Sequence, residues 1–189
     1  MNLYKRIFDL VITIPIGILL ILPMILISIL IKVNSKGPIL YWSNRVGLEN
    51  RLFSMPKFRS MHVGTPALAT HLLDNPDKYL TSVGTVLRRT SLDELPQIWS
   101  ILRGDMSLVG PRPALFNQRD LIRLRAERGI HHLVPGLTGW AQINGRDELS
   151  ISEKVRLDEE YLIYRSIRLD IKILGATFFG VLARTGISH

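Results

Sequence analysis

Residues 10–31 read LVITIPIGILLILPMILISILI, a run with no charged side chain between Asp9 and Lys32. As a continuous helix, these 22 residues reach about 33 Å, enough to cross the hydrocarbon core of a bilayer. A core helix of so small a protein is rarely apolar on every face, and residues 32–36, which follow the run, contain no small-x-small cleavage site. The sequence therefore predicts a membrane element rather than a core helix or a cleaved signal peptide.

Two features leave the topology of this element open. Pro15 and Pro23 lie inside the run, where each removes a helix hydrogen bond and favours a kink. Basic residues stand on both sides of the run, so the positive-inside rule selects no orientation. These residues are Lys5, Arg6, Lys32, Lys36 and Arg45. A kinked single span and a helix that enters, bends near Pro23 and returns to the same side fit equally well.

Composition limits the partners of the chain. Its 189 residues hold 24 Lys and Arg against 16 Asp and Glu, a net charge of +8, and no cysteine. The absence of cysteine excludes a disulfide scaffold, a zinc ribbon and a thiol nucleophile. A basic protein of this size implies an anionic partner, which composition leaves as nucleic acid, phospholipid or a phosphorylated substrate.

The predicted organisation is a membrane element over residues 1–36 and one compact domain over residues 37–189. The fold class is α/β, mostly helical with a few short strands and surface amphipathic helices. Strands are predicted over 39–42 and 53–59, and helices over 65–74, 96–102, 115–128, 152–164 and 167–184. Ser150 and Ser152 are candidate caps of the fourth helix, with Glu153 in its first turn. The uncharged stretch 173–183 of the last helix is too short to span, so it lies in the membrane interface or packs in the core.

Residues 91–96 read SLDELP and place Asp93 beside Glu94 at a predicted helix start. The dipole of a helix N-terminus stabilises carboxylates, which suits catalysis. However, Ser91 and Glu94 also match the capping box S-x-x-E, which surface helices use widely. From this motif alone, capping is favoured over catalysis.

Three further motifs could bind phosphate or a nucleotide. In residues 110–113, GPRP, two prolines stiffen the turn that holds Arg112, and in Lys57-Phe58-Arg59 an extended segment places both cations on one face. The glycines of residues 135–146, PGLTGWAQINGR, allow close backbone approach, and Trp140 offers a stacking face. Each motif also has a purely structural explanation: a solvated turn, a solvated strand face, or a buried tryptophan beside a glycine turn, respectively.

Other chemistries find no support in the sequence. There is no Walker loop and no G-x-G-x-x-G. The five histidines show no metal-ligand spacing on a helix, and His131 and His132 are expected to point to different faces.

Five motifs nevertheless follow one another in a distinctive order: KRIFD at 5–9, KFRSM at 57–61, SLDELPQ at 91–97, GDMSLVGPRP at 104–113 and PGLTGWAQINGR at 135–146. In this order the chain resembles the bacterial sugar transferase family, the monotopic phosphoglycosyl transferases, in their small form. The resemblance implies transfer of a sugar phosphate from a UDP-sugar to undecaprenyl phosphate, with UMP as the second product. It also implies a re-entrant helix in the bacterial cytoplasmic membrane, with the catalytic domain on the cytoplasmic face, and a first membrane step in capsule, O-antigen or glycoprotein glycan assembly.

The resemblance also assigns residues. It implies that Asp93 is the nucleophile, forming an aspartyl phosphosugar intermediate and binding Mg²⁺, and that Glu94 is its partner in the dyad. Phosphate groups are expected at Arg112, Lys57, Arg59 and Arg88, and the nucleotide sugar at Thr138, Gly139, Trp140, Gln142 and Arg146. The family usually has Ser-Pro at the membrane bend, whereas this chain has Leu22-Pro23.

Two rival functions remain compatible with the residues. A membrane-tethered basic module for anionic lipid or nucleic acid explains the charge and the anchor without catalysis, although the resemblance implies no nucleic-acid partner. A phosphatase or nucleotide-sugar hydrolase needs no lipid acceptor. Residues 113–118 and 145–147 resemble members that use N-acetylated, often 6-deoxy, UDP-sugars.

Overall fold

The computed structural model describes residues 2–66, 75–145 and 149–183. The chain begins with a 32-residue helix, α1 (Leu3–Asn34), and continues into an antiparallel hairpin of β1 (Leu40–Val46) and β2 (Leu52–Phe58). Two short strands, β3 (Ser107–Val109) and β4 (Gly136–Thr138), pair in parallel. The other α-helices are α2 (Ser82–Arg89), α3 (Ile98–Arg103), α4 (Arg119–Glu127), α5 (Trp140–Ile143), α6 (Ile151–Tyr164) and α7 (Ile167–Ala183). Short 3₁₀ helices cover Leu48–Asn50, Pro76–Tyr79, Leu92–Gln97 and Ile130–His132.

The prediction of a mostly helical α/β chain with a few short strands is confirmed, and several boundaries move. The first predicted strand extends to Val46, and the helix predicted over 115–128 begins only at Arg119. Its expected first turn instead folds back, because Gln118 Oε1 accepts a hydrogen bond from the Leu115 N–H. Helix α2 and strands β3 and β4 were not predicted. Most of the helix predicted over 65–74 lies outside the described residues.

Helix α1 is long and apolar enough to cross a membrane, with a mean hydropathy of 2.9 over its most apolar 18 residues. It runs through Pro15 and Pro23 as one helix rather than as two helices joined by a turn. One stripe of side chains faces the domain and recurs every three to four residues, as expected for one face of a helix. This stripe contains Asp9, Thr13, Gly17, Met24, Ile27 and Ile31. The opposite face is apolar and exposed.

Both ends of α1 are fastened to the domain. Near the start, Arg6 donates to the carbonyls of Ile101 and Leu102 at 2.6 Å each, where the C-terminal end of α3 favours a cation. Near the end, the two terminal nitrogens of Arg59 donate to the carbonyls of Ser35 and Lys36 at 2.8 and 2.9 Å. The helix therefore contacts the same domain from its first turns to its last.

A buried ionic network reinforces the first of these attachments. Lys5 Nζ lies 3.2 Å from Asp9 Oδ1 and 2.8 Å from Asp170 Oδ2. The Tyr161 hydroxyl donates to the other oxygen of Asp170 at 2.8 Å. These contacts tie α1 to α6 and α7.

Helix α7 has two faces. Ile173 is fully buried in the main core, whereas Phe178 and Phe179 are exposed. The expectation that part of residues 173–183 packs in the core is confirmed at Ile173, and the alternative that this stretch lies in the membrane interface stays a prediction.

Candidate active site

A cleft of about 1060 Å³ opens between the β1–β2 hairpin and the 3₁₀ helix Leu92–Gln97. Two neighbouring carboxylates, Asp93 and Glu94, line it. Among the described residues, the cations on its walls are Arg45, Lys57, Arg59, Arg88, Arg112, Arg125 and Lys154. A cleft of this size, lined by so many more cations than carboxylates, suits a large polyanionic ligand.

The carboxylate pair is positioned by a strained turn rather than by a helix cap. Ser91 has φ 55°, in the left-handed region, and its side chain makes no capping hydrogen bond. The capping box predicted for Ser91 and Glu94 is therefore wrong. The reason is that the Glu94 carboxylate is taken by distant partners instead of the backbone.

Glu94 is held between two cations. Its Oε1 accepts hydrogen bonds from Lys57 Nζ at 2.8 Å and from Arg112 Nη2 at 2.9 Å. Burial opposes ionisation of this carboxyl, but Arg112 and Lys57 together outweigh burial and hold its pKa well below the usual value. Glu94 is therefore an ionised, neutralised member of the pair.

Asp93 has the opposite environment. It is buried, and within the described part of the chain its carboxylate accepts no hydrogen bond and forms no ion pair. Burial raises its pKa, with Glu94 adding to the effect, while Lys57, Arg88 and Arg112 act against it. A carboxylate that faces a cleft without a direct partner is available to a ligand, and in this respect Asp93 differs from Glu94.

The predicted phosphate-binding cations divide into two groups. Arg112, Lys57 and Arg88 surround the carboxylate pair, and Arg88 is oriented by Ser60 Oγ, 3.1 Å from its Nε. Arg59 lines the cleft, but its terminal nitrogens donate to Ser35 and Lys36 at the end of α1. Lys57 and Arg59 thus both line the cleft, with Phe58 between them buried as expected, but their hydrogen bonds go to Glu94 and to the end of α1, respectively.

Arg45 is a cleft residue that the sequence analysis placed only in the basic flank of the membrane element. Its Nε donates to Ser43 Oγ at 3.0 Å and its Nη1 to the carbonyl of Pro113 at 3.2 Å. Burial, and then the nearby charge of Arg112, lower the pKa of Arg45 to about 10. The signal available in the sequence was alternation along β1, which places Ser43 and Arg45 on the same side of the strand.

The segment 135–146 contributes less to the cleft than predicted. Thr138 Oγ1 lies 2.7 Å from Thr177 Oγ1 of α7, and Trp140 Nε1 donates to Glu160 of α6 at 2.9 Å. Thr138, Gly139 and Trp140 do not appear among the described residues that line the cleft. Thr138 and Trp140 contact α7 and α6, respectively, so the nucleotide-sugar contacts predicted for this segment stay a prediction. Arg146 lies outside the described residues.

Gln142 is the predicted nucleotide-sugar residue that does line the cleft. Both polar atoms of its amide are buried and have no hydrogen-bond partner. An unpaired buried amide costs free energy unless a ligand or water satisfies it. Gln142 is therefore equipped to receive a polar group of a bound molecule.

The glycines of this segment allow two backbones to meet. A Cβ on Gly136 would lie 2.1 Å from the Gly110 nitrogen, and one on Gly139 would lie 2.1 Å from the Gly110 carbonyl oxygen. The close approach predicted from the glycines is present, but its partner is the turn that carries Arg112 and not a nucleotide. The glycines thereby fix the position of that arginine.

The prediction that His131 and His132 point to different faces is wrong. Their ring centroids lie 3.9 Å apart with the planes tilted by 39°. The cause is the 3₁₀ turn Ile130–His132, which brings neighbouring side chains closer than an extended segment would.

An apolar helix fastened along a small domain, with a cationic cleft that holds a carboxylate pair, defines a class of protein that is suited to membrane association and to phosphorylated ligands. Residues 1–184 match the family described as bacterial sugar transferase. The chain belongs to this family of enzymes, and the resemblance drawn from its motifs is confirmed.

Curated relatives match over nearly the whole chain. An undecaprenyl-phosphate glucose phosphotransferase of Komagataeibacter xylinus is 42% identical over 93% of this chain and 35% of its own length. The UDP-glucose:undecaprenyl-phosphate glucose-1-phosphate transferase of Escherichia coli is 41% identical over 94% and 40%. The uncharacterized sugar transferase EpsL of Bacillus subtilis is 39% identical over 98% and 90%. The chain thus spans less than half of two of these relatives and most of the third.

Proposed function

We propose that this protein transfers a sugar 1-phosphate from a UDP-sugar to undecaprenyl phosphate, giving undecaprenyl-diphosphate-sugar and UMP. Two relatives are named after a reaction of this type, with glucose as the sugar. The observation that carries the proposal is the unequal carboxylate pair. Glu94 is neutralised by Lys57 and Arg112, whereas Asp93 faces the cleft without a direct partner.

The proposed reaction proceeds in two displacements on phosphorus. An Asp93 carboxylate oxygen attacks the phosphorus that bears the sugar, forming an O–P bond while the bond from that phosphorus to the bridging oxygen breaks. UMP leaves with the bridging oxygen and its electron pair. A phosphate oxygen of undecaprenyl phosphate then attacks the same phosphorus, the bond to Asp93 breaks, and the carboxylate is regenerated.

The cations around the pair have distinct proposed roles. Arg112 and Lys57 already lie at hydrogen-bond distance from Glu94, so their positions are fixed before substrate arrives. With Arg88 they offer charge to the transferring phosphoryl group. Arg59 is proposed to attract phosphate only by its positive charge on the cleft wall, because its terminal nitrogens donate to Ser35 and Lys36. The unpaired amide of Gln142 is proposed to receive a polar group of the nucleotide sugar.

A magnesium ion fits the carboxylate that has no partner. Mg²⁺ prefers oxygen ligands and is commonly held by one or two carboxylates together with substrate phosphates. Asp93, buried and without a hydrogen bond among the described residues, would hold it. When bound, the ion would reduce the repulsion between the carboxylate and the anionic substrate.

The contacts of α1 support a helix that enters and leaves one face of the membrane. Along the axis, Arg6 and Ile31 are about 37 Å apart in a straight helix, more than the hydrocarbon thickness. Both ends nevertheless contact the same domain. A spanning helix would place its ends on opposite faces, so we propose a monotopic attachment to the bacterial cytoplasmic membrane, with the domain on the cytoplasmic side. Because α1 continues through Pro23 as one helix, the bend that we propose at this proline is a kink within the helix and not a turn between two helices.

The proposal is tested by UMP release from detergent-solubilised protein with Mg²⁺ and undecaprenyl phosphate. The donor panel contains UDP-glucose, UDP-galactose and N-acetylated 6-deoxy UDP-sugars. We expect release that requires the lipid, and a loss of about 10³-fold or more in Asp93→Asn. Asp120→Asn, at an exposed carboxylate on α4, is the matched control and should keep its activity.

The possible results separate the rival functions. Release that continues without lipid acceptor would indicate a nucleotide-sugar hydrolase. Release by Asp93→Asn at the wild-type rate would remove the proposed nucleophile. No release from any donor, combined with binding to anionic vesicles, would favour the membrane-tethered binding module.

A further inference from the structure

A second cluster of ionisable side chains lies on the molecule, outside the described cleft lining. It joins the tip of the β1–β2 hairpin to the turn that follows α4. One carboxylate oxygen of Glu49 and one ring nitrogen each of His131 and His132 all lie within 4.8 Å of one another. None of the three residues lines the cleft that holds Asp93.

The individual contacts show that this cluster is only partly satisfied. His132 Nδ1 lies 2.8 Å from Glu49 Oε1, so one histidine and the carboxylate already meet. The Nδ1 of His131 is buried and has no hydrogen-bond partner. A buried ring nitrogen without a hydrogen-bond partner calls for an explanation, and at His131 it occurs in a residue that also brings a ring nitrogen close to a second imidazole and a carboxylate.

The donor set selects the chemistry of the ligand. Two neutral imidazoles and one carboxylate form a known set of three protein ligands for four-coordinate zinc, in which water takes the fourth position. Imidazole suits zinc and similar transition metals, whereas magnesium prefers oxygen ligands. We propose that Glu49, His131 and His132 bind one divalent transition-metal ion of the zinc class.

The position of the cluster gives such an ion a structural consequence. Glu49 belongs to the hairpin turn, and the histidines precede β4 by a few residues. A small cavity of about 30 Å³ borders His131 and also Pro111 and Pro113, which flank Arg112. An ion at the cluster would therefore brace the outer wall of the turn that carries the cleft arginine.

Zinc binding to tag-free, full-length protein in detergent provides the test, with excess Mg²⁺ present. We expect one zinc ion per chain by calorimetry. Glu49→Gln and His132→Asn should each weaken binding about tenfold or more, since loss of even an indirect partner of a metal ligand commonly costs this much. The control variant replaces the other three histidines of the chain together, His62→Ala, His71→Ala and His189→Ala, and should bind zinc as the wild type does.

Cobalt gives a second readout that does not depend on any variant folding. Wild-type protein with Co²⁺ should show the visible absorption bands of a tetrahedral nitrogen and oxygen site, and Zn²⁺ should abolish them. The proposal is overturned if wild-type protein shows neither zinc binding nor these bands. It is equally overturned if the triple histidine variant loses binding while Glu49→Gln keeps it.

Discussion

Arg125 connects the cleft to the core, and its removal should separate stability from activity. Its Nε and Nη2 donate to Asp158 Oδ2 at 3.0 and 2.6 Å, and its Nη1 donates to the carbonyl of Arg112 at 2.8 Å. The side chains of Arg125 and Asp158 are only 12% and 1% exposed. The change Arg125→Met therefore leaves a buried carboxylate without its partner and releases the backbone of Arg112.

The expected loss of stability follows from the burial of the Arg125–Asp158 ion pair. Removing one partner of a buried ion pair costs about 3–5 kcal/mol of the free energy of unfolding. For a chain of this size that corresponds to a fall of about 6–20 °C in Tm. Burial already raises the pKa of Asp158, against the influence of Arg125, so the carboxylate has little other compensation. Adding Asp158→Leu removes the stranded charge and should restore most of the loss, because apolar replacements of buried pairs are often neutral.

Activity should not recover with stability. In the double variant the carbonyl of Arg112 still lacks its donor, so UMP release should stay below the wild-type rate after Tm has returned. Thermal unfolding in one detergent and initial rates at saturating donor measure the two effects. The reasoning is refuted if the double variant is less stable than Arg125→Met alone, or if restored stability brings the wild-type rate with it.

Three further changes test other parts of the structure. Glu94→Gln should lower the free energy of unfolding at pH 7, because the ionised Glu94 stabilises the fold through Lys57 and Arg112. The difference from the wild type should shrink as the pH falls below 4.5, the ordinary pKa of this carboxyl, since Glu94 of the wild type then becomes protonated and loses this contribution. A difference that stays constant with pH would contradict this reasoning. Gly139→Ala should lower the free energy of unfolding by more than about 4 kcal/mol, since the added Cβ meets the backbone of Gly110. The control Gly175→Ala has open space around the added Cβ and should not destabilise the fold. Equal unfolding temperatures of the two variants would argue against the close approach. The chain has no cysteine, so single cysteines can be introduced at residues 3 and 36 and labelled with a membrane-impermeant thiol reagent. Both should react only from the cytoplasmic side of sealed vesicles, and labelling of residue 3 from the opposite side would mean a true span.

The same sequence pattern gave one correct and one wrong cap. At the start of α6, Ser150, one of the two predicted candidate caps, is the cap, and it forms a reciprocal capping box with Glu153. In Ser91–Glu94 they do not, because Lys57 and Arg112 pair with the glutamate from far along the chain. Local pattern predicts a cap only where no distant charge competes for the carboxylate.

Distant partners also explain why the positions of some side chains could not be predicted from the motifs. Trp140 seemed suited to stack on a nucleotide, but it lies against α6, where Glu160 accepts its N–H. Arg45 was grouped with the membrane flank, although its guanidinium reaches Pro113, 68 positions away. The motif order along the chain did predict the family and the cleft pair Asp93 and Glu94. Which side chains serve the ligand and which serve packing depends on long-range contacts that no single motif contains.

The side chains of α1 that face the domain determine whether the domain can be produced without this helix. Ile27 and Ile31 share a buried cluster with Phe58 and Leu87, and residues 57 and 88 on either side of that cluster supply cations to the cleft. Deleting the first 36 residues would uncover this cluster, against which Leu92 and Leu95 pack on either side of the carboxylate pair in the chain. The boundary predicted at residue 36 therefore does not separate two folding units, and a water-soluble version of the domain would need a replacement for that helix.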